Sequence, residues 1–295
     1  MPPAKSRIPP PYPAYLNAIA ILSGLVDPLW GVAVKVAGIF WRQPPPKLTD
    51  TPRRRRRGLT LVLGGIEGRS KYNLDMVRGI LRSGYRGSVV RFDWNHGIPF
   101  WRSLVNLMSR RHHEKQAADV LEYIRHFKQE HPAAPVCMVA QSGGCWIGIR
   151  VLERLPKDVR VATAVLLAPA ISPGYDVGPA AARCDAELIS VGSLGDFFFL
   201  GLGTTLLGTS DRKWTPSAGF IGWHHRPPRF VELRWHPSWC RLGYFGNHTT
   251  TSAPAFVAAV VGPRLPWQPG RLAPLPQAQA PGFQTAYTAE AEPHS

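Results

Sequence analysis

Residues 135–155 read PVCMVAQSGGCWIGIRVLERL, and this stretch divides into three parts. Residues 135–140 form a short apolar run that is typical of a buried strand. Residues 145–155 repeat apolar side chains at helical spacing. Small residues surround Ser142 at the corner between them. The stretch therefore predicts a buried strand that turns directly into an amphipathic helix at Ser142.

The corner itself has a pattern with chemical meaning. Ala140 lies two residues before Ser142 and Gly144 two residues after it, which is Gly-x-Ser-x-Gly with its first glycine replaced by alanine. A strained strand-to-helix turn projects a serine oxygen from the sheet edge, and small flanking residues let the strand and helix approach. An ordinary Ser/Gly-rich connection is the alternative interpretation. The position between a strand and a helix favours a nucleophilic serine.

The same alternation of strands and helices continues along the chain. The strands are predicted at residues 59–63, 88–92, 135–140, 159–167, 187–191 and 230–235, and helices at 73–84, 115–129, 145–155 and 251–261. This order predicts an α/β fold with a mostly parallel sheet covered by helices on both faces. Ligands bind at the carboxyl ends of the strands in such sheets.

Composition divides the 295 residues into three regions. Residues 1–57 form a Pro/Arg-rich and apolar amino-terminal extension with a linker, residues 58–266 the α/β domain, and residues 267–295 a disordered carboxyl-terminal tail. A domain of this size is long enough to bury a sizeable core. The run Arg53–Arg57 is interpreted as a solvated charge run within the linker.

Residues 14–41 are apolar but are interrupted by Asp27 and Pro28, so neither half reaches the roughly 20 residues that a spanning helix needs. Three interpretations of this stretch compete: two short helices packed on the domain, a helix pair in the membrane interface, or a signal-like segment. The signal is the weakest interpretation because no clean Ala-x-Ala site follows one apolar core. We expect a cytoplasmic protein, with peripheral membrane association if residues 14–41 lie in the interface.

The net charge of +16 suits an anionic membrane surface or an acidic partner. Nucleic-acid binding is disfavoured, because the sequence has no recognisable nucleic-acid module or aromatic-basic stripe. The four cysteines are widely spaced, which predicts free thiols and no disulfide framework. No metal site and no cofactor are expected.

A nucleophilic serine needs a base, an acid that orients the base, and donors for the oxyanion. His248 is the best base, because it follows the last predicted strand. The other histidines fit less well: His96 precedes the serine, His224 and His225 precede the last strand, and His112 and His113 suit a solvated turn.

The best acid is Asp196, just past the fifth strand. Asp211 is the alternative acid, but it lies beside an arginine, so a salt bridge or a turn explains it better. Asp176 is a weaker candidate, because its neighbours are typical of a turn. The oxyanion donors would be the backbone N–H groups of Gly143 and Ile66.

These motifs together resemble the α/β-hydrolase superfamily. The resemblance rests on LVLGGIEG (residues 61–68), AQSGG (140–144), Asp196 and Gly-Asn-His248, and it covers residues 58–265. It implies a serine hydrolase that cleaves an ester, thioester or amide through an acyl-enzyme on Ser142. The chain departs from the pattern in four ways. Alanine replaces the first glycine of the serine motif, at residue 140, and no histidine precedes the oxyanion glycines. The usual first two antiparallel strands are not visible, and the longer insertion, residues 197–229, follows Asp196.

The insertion begins with the apolar run FFFLGLG at residues 197–203. It is either an apolar wall over the serine, suited to an acyl chain, or a helix buried on the sheet. The expected substrate is therefore a small ester or lipid-like molecule with an apolar acyl group. The alternative is a non-catalytic relative that binds a lipid or a partner at a membrane surface.

Overall fold

The protein is described by a computed structural model, which covers residues 20–29, 49–66, 70–92, 94 and 109–267. Its centre is a six-stranded sheet with the order β2-β1-β3-β4-β5-β6, in which all neighbouring strands are parallel. The strands are β1 (Leu59–Leu63), β2 (Ser88–Phe92), β3 (Val136–Gln141), β4 (Thr163–Leu167), β5 (Leu188–Gly192) and β6 (Phe230–Arg234). The predicted α/β class with a parallel sheet is confirmed.

Both faces of the sheet are buried, and strand alternation divides the core between them. Leu59, Leu61 and Leu63 of β1 pack in one apolar cluster, whereas Val62 packs in the other. The four longer helices are α1 (residues 20–29), α2 (Lys71–Arg82), α3 (Arg110–Glu130) and α4 (Gly143–Arg154). Helices α3 and α4 cover the first cluster, and α2 covers the second.

Helices α2 and α3 begin earlier than the periodicity predicted because each has a serine cap. The Ser70 hydroxyl accepts from the Asn73 N–H, and the Ser109 hydroxyl accepts from the His112 N–H. The solvated turn predicted for His112 and His113 is therefore wrong. His113 lies on α3 and is buried, and this burial lowers its pKa to about 4.

The boundaries of two other elements differ from those that the sequence predicted. Strand β4 begins at Thr163 and not at residue 159, and Val161 before it forms only an isolated bridge to Cys184. The last helix is not continuous: a 3₁₀ turn (Thr249–Ser252) is followed by short α, π and 3₁₀ turns at Pro254–Phe256, Val257–Val261 and Gly262–Arg264. Ala253 is extended because it precedes a proline.

The linker is partly held against the edge of the sheet. Thr51 caps a short helix, Pro52–Arg55, in which Arg55 pairs with Asp50 at 2.8 Å. Arg54 donates to the carbonyl of Gly87 at 2.8 Å. Two members of the arginine run, which the sequence predicted as a solvated charge run, therefore also bond within the protein.

Helix α1 includes Asp27 and Pro28 and is described as far as Leu29, so the predicted second half of the apolar stretch lies outside the described residues. The Asp27 side chain has partners elsewhere in the fold, as described below, and does not end the helix. Residues 14–19 and 30–41 of the predicted apolar stretch, and the predicted tail from residue 268, lie outside the described residues. Within the described ranges, no helix combines the length and apolar character needed to cross a membrane.

Candidate active site

Ser142 occupies a strained corner between β3 and α4. Its backbone has φ 52° and ψ −125°, in the region of positive φ that side-chain-bearing residues rarely adopt. Such a conformation costs on the order of 1–3 kcal/mol and persists only when surrounding contacts hold it. Here the Ser142 N–H donates to the carbonyl of Leu167 at 2.9 Å, and the Ser142 carbonyl accepts from the Cys145 N–H at 3.0 Å. The sequence therefore folds into the predicted strand–corner–helix geometry.

The glycine two residues after the serine is required by a close approach. A Cβ atom at Gly144 would lie 2.3 Å from the carbonyl oxygen of Gly64 and 2.7 Å from that of Leu63. The end of β1 thus packs directly on the first turn of α4. Ala140, on the other side of the corner, is fully buried in the core. This packing explains why residue 144 is a glycine.

His248 and Asp196 are brought together from separate loops. Asp196 follows β5 and His248 follows β6, and the Nδ1 atom of His248 lies 2.6 Å from Oδ2 of Asp196. Asp196 is 2% exposed, so this hydrogen bond is almost fully shielded from water. The Asp196 carboxylate also accepts from the Leu200 N–H at 3.3 Å. An acid fixed in this way can orient an imidazole and stabilise its protonated form.

The histidine loop is attached to the strand that carries the serine. Gln141, the residue before Ser142, donates from Nε2 to the Thr251 hydroxyl at 3.1 Å and to the His248 carbonyl at 3.4 Å. The Thr251 hydroxyl in turn donates to the His248 carbonyl at 2.9 Å. Sequence reasoning missed Gln141; the only available signal was a buried polar residue at the end of an apolar strand.

The predicted oxyanion donors lie on the two elements that meet at Gly144. Gly143 is the first residue of α4, so its N–H has no acceptor within the helix. Ile66 follows β1 and is packed partly buried against the core. The Gly64 carbonyl between them accepts from the indole N–H of Trp94 at 2.7 Å, which holds the loop after β1.

The other candidates from the sequence have different surroundings. Asp211 accepts from the Ser172 N–H at 2.8 Å and from the Ser172 hydroxyl, so it joins two loops. Asp176 accepts from the Gly178 N–H at 2.8 Å in a local turn. His224 and His225 are exposed, and His96 lies outside the described residues.

A further carboxylate approaches the histidine loop and was not predicted. Asp27 of α1 is 1% exposed, and its Oδ2 accepts from the His248 N–H at 2.8 Å. Only the position of an acidic residue inside an apolar stretch could have indicated it.

The insertion after Asp196 begins with a π-helical turn, Phe197–Gly203. The Phe199 ring lies 5.0 Å from the His248 imidazole, centroid to centroid, at an interplanar angle of 35°. Phe197 and Phe198 are each 42% exposed, whereas Leu200 is buried. One side of the segment therefore packs on the domain, and the other side carries exposed rings next to the residue that contacts the histidine.

Among the described residues, no group of three or more His, Cys, Asp or Glu side chains is arranged to hold a metal ion. The described cysteines are free thiols, as predicted, and burial raises the pKa of Cys145 well above its usual value.

The strand order, the strained serine after β3 and the histidine that follows the last strand define the α/β-hydrolase fold, as the sequence resemblance predicted. No protein-family model matches the chain, and no curated protein matches its sequence.

Several solved structures are distantly similar. They include a protein of Xanthomonas campestris pv. campestris described as a hydrolase of the alpha/beta superfamily (17% identity, 68% of this chain and 96% of the other, TM-score 0.38). An esterase of Pyrococcus furiosus shares 14% identity over 70% of this chain and 81% of its own, with a TM-score of 0.43. Lipase B of Aspergillus fumigatus shares 11% identity over 78% of this chain and 58% of its own, with a TM-score of 0.46.

Proposed function

We propose that the protein is a serine hydrolase that cleaves an ester or thioester with an apolar acyl group. The observation that carries the proposal is the hydrogen bond of 2.6 Å between His248 and Asp196, two loop residues that are 52 positions apart in the chain. This pair belongs to the same sheet edge as the strained Ser142. A base oriented by a buried acid, at the same sheet edge as a serine, is the arrangement that acyl transfer requires.

The proposed reaction uses each residue in one role. His248 accepts the Ser142 hydroxyl proton while the serine oxygen attacks the carbonyl carbon, and the N–H groups of Gly143 and Ile66 stabilise the resulting oxyanion. The tetrahedral intermediate releases the alcohol or thiol, which receives the proton from His248, and leaves an acyl-enzyme. Water then attacks this ester while His248 takes its proton, the bond between the acyl carbon and the Ser142 oxygen breaks, and His248 returns the proton to that oxygen as the acid product leaves. The cycle needs no cofactor.

The apolar surface beside His248 supports an apolar acyl group. Phe199 contacts the imidazole, and Phe197 and Phe198 expose two more rings on the same turn. Apolar walls with a few polar groups are typical of sites for small apolar ligands.

A second part of the proposal concerns where the enzyme works, namely at an anionic membrane surface. Helix α1 places large apolar side chains on its outer side, where surface helices of soluble proteins place polar side chains. The exposed residues recur at helical spacing and are Ile21, Leu22, Leu25, Val26 and Leu29. The net charge of +16 suits a surface of anionic lipids.

The decisive experiment is labelling with a fluorophosphonate probe and hydrolysis of nitrophenyl esters and acyl thioesters of graded chain length. We expect wild type to be labelled at Ser142 and to prefer longer acyl chains, and Ser142→Ala to lose both labelling and turnover. Retained turnover in Ser142→Ala would overturn the proposal. A folded wild-type protein that binds acyl chains without labelling would support the alternative, a non-catalytic lipid-binding protein.

A further inference from the structure

Asp27 belongs to the amino-terminal helix, but its carboxylate bonds to His248 and Thr249 at the start of the 3₁₀ turn Thr249–Ser252. Its Oδ2 accepts from the His248 N–H at 2.8 Å and from the Thr249 N–H at 3.3 Å. Its Oδ1 accepts from the Thr249 hydroxyl. One buried carboxylate therefore accepts three hydrogen bonds from two consecutive residues, and it fixes the backbone from which the imidazole projects.

The packing of α1 places Asp27 accurately. A Cβ atom at Gly24 would lie 2.0 Å from the carbonyl oxygen of Gly195, so the helix touches the backbone of the loop that carries Asp196. Ser23 donates from its hydroxyl to the Phe245 carbonyl at 2.7 Å, on the loop that carries His248. The inner side of α1 thus contacts the acid loop and the histidine loop at once. Residues with small side chains make this close contact possible.

We propose that Asp27 is a positioning residue of the hydrolase, which fixes the His248 backbone and places a second negative charge beside the imidazole. The amino-terminal helix therefore completes the active site. This inference rests on the proposed function and deepens it, since it assigns a role at the same site to a residue more than 200 positions away from His248 in the chain.

The charges around His248 support this role. Asp196 and Asp27 both interact with it, and the Tyr244 hydroxyl interacts with both carboxylates and with Arg234. Burial raises the pKa of Asp27, and the neighbouring Asp196 charge adds to this effect. The Thr249 hydrogen bond and the charge of His248 act in the opposite direction and lower the pKa of Asp27. Since this attraction is mutual, an ionised Asp27 also favours the protonated imidazole.

The test compares Asp27→Asn with wild type. Asparagine keeps the shape and an acceptor for the His248 N–H, but it removes the charge. We expect the titration midpoint of His248 to fall by about one pH unit. The midpoint is measured by NMR of ring-labelled histidine, and the His248 signal is assigned with the variant His248→Gln. The acidic limb of kcat/KM should shift in the same direction, and kcat should fall about tenfold with KM little changed. A merely structural residue would leave the midpoint and this limb unmoved.

Asp27→Ala serves as the second variant, because it leaves the N–H groups of His248 and Thr249 without their acceptor. We expect a larger loss of kcat than in Asp27→Asn. Ser23→Ala is the matched control: it removes a hydrogen bond from the same helix to the same loop without changing a charge, so the His248 midpoint should remain at its wild-type value.

An unchanged His248 midpoint in Asp27→Asn would overturn the inference, and so would a midpoint that falls equally in Ser23→Ala. A lowered midpoint with unchanged kcat and kcat/KM in an active enzyme would also overturn it. If wild type is not labelled by the probe, the proposed function fails, while the NMR titration still decides whether Asp27 acts on His248. The two failures are therefore distinguishable.

Discussion

Asp196 and Asp211 both follow β5 in the chain, but they have different partners. Asp196 lies 2.6 Å from the His248 imidazole, whereas Asp211 accepts from Ser172. The choice between them depends on how the insertion folds back over the sheet. Spacing along the chain carries no information about that path.

This difference leads to a prediction at the residue scale. Asp196→Asn should lower kcat by about a thousandfold or more, because an amide no longer holds the imidazole in the required tautomer. Asp211→Asn should lower the free energy of unfolding and leave kcat close to that of wild type. Steady-state kinetics and urea unfolding of both variants are the measurements. An equal loss of kcat in Asp211→Asn would contradict the assignment of Asp196.

At the scale of elements, the corner depends on contact between β1 and α4. Gly144→Ala places a methyl group 2.3 Å from the carbonyl oxygen of Gly64, which directly follows β1, and 2.7 Å from that of Leu63 in β1. We expect the free energy of unfolding to fall by about 1–3 kcal/mol, because the helix must move away from the strand. The displaced Gly143 and Ser142 should also lower the rate of probe labelling.

Gly174→Ala is the control for this variant. The nearest atom to a Cβ at Gly174 is Nδ1 of His224 at 3.6 Å, which is an ordinary van der Waals distance. Urea unfolding should therefore give a value near that of wild type for this substitution. If Gly144→Ala were equally well tolerated, the close packing at the corner would not be a requirement of the fold.

At the scale of the whole molecule, the two sides of α1 have opposite characters. Its inner side carries small or acidic residues and contacts the loops of Asp196 and His248. Its outer side exposes large apolar residues. Leu194 and Phe245 are exposed on the two loops that α1 touches, so the apolar surface extends towards the site. This arrangement would place the site close to a lipid surface.

The corresponding prediction is that the protein sediments with vesicles of phosphatidylcholine and phosphatidylserine, and less with phosphatidylcholine alone or at high salt. The double variant Leu22→Glu/Leu25→Glu should weaken binding by about tenfold or more, since both side chains are 56–62% exposed and available to insert. Gln129→Glu, which adds a negative charge on α3 instead, should have a smaller effect. Equal binding by the double variant would exclude this surface.

The sequence by itself determined the features that depend on neighbours in the chain. Apolar runs and helical periodicity predicted the six strands and the helices that cover them, because burial and local geometry repeat at fixed spacing. The Ser142 corner was equally predictable, since its strain and small flanking residues lie within five positions. The chain order of Ser142, Asp196 and His248 also suggested which residues meet.

Only the tertiary structure decided the features that depend on packing between distant segments. It paired Asp196 with His248, assigned Asp211 to Ser172, and buried His113, which the sequence predicted to be solvated. It also brought Asp27 to the histidine loop from an apolar stretch for which the sequence predicted only helices packed on the domain or an interfacial anchor. The physical reason is that a buried carboxylate needs donors, and the backbone N–H groups that satisfy Asp27 lie more than 200 residues away.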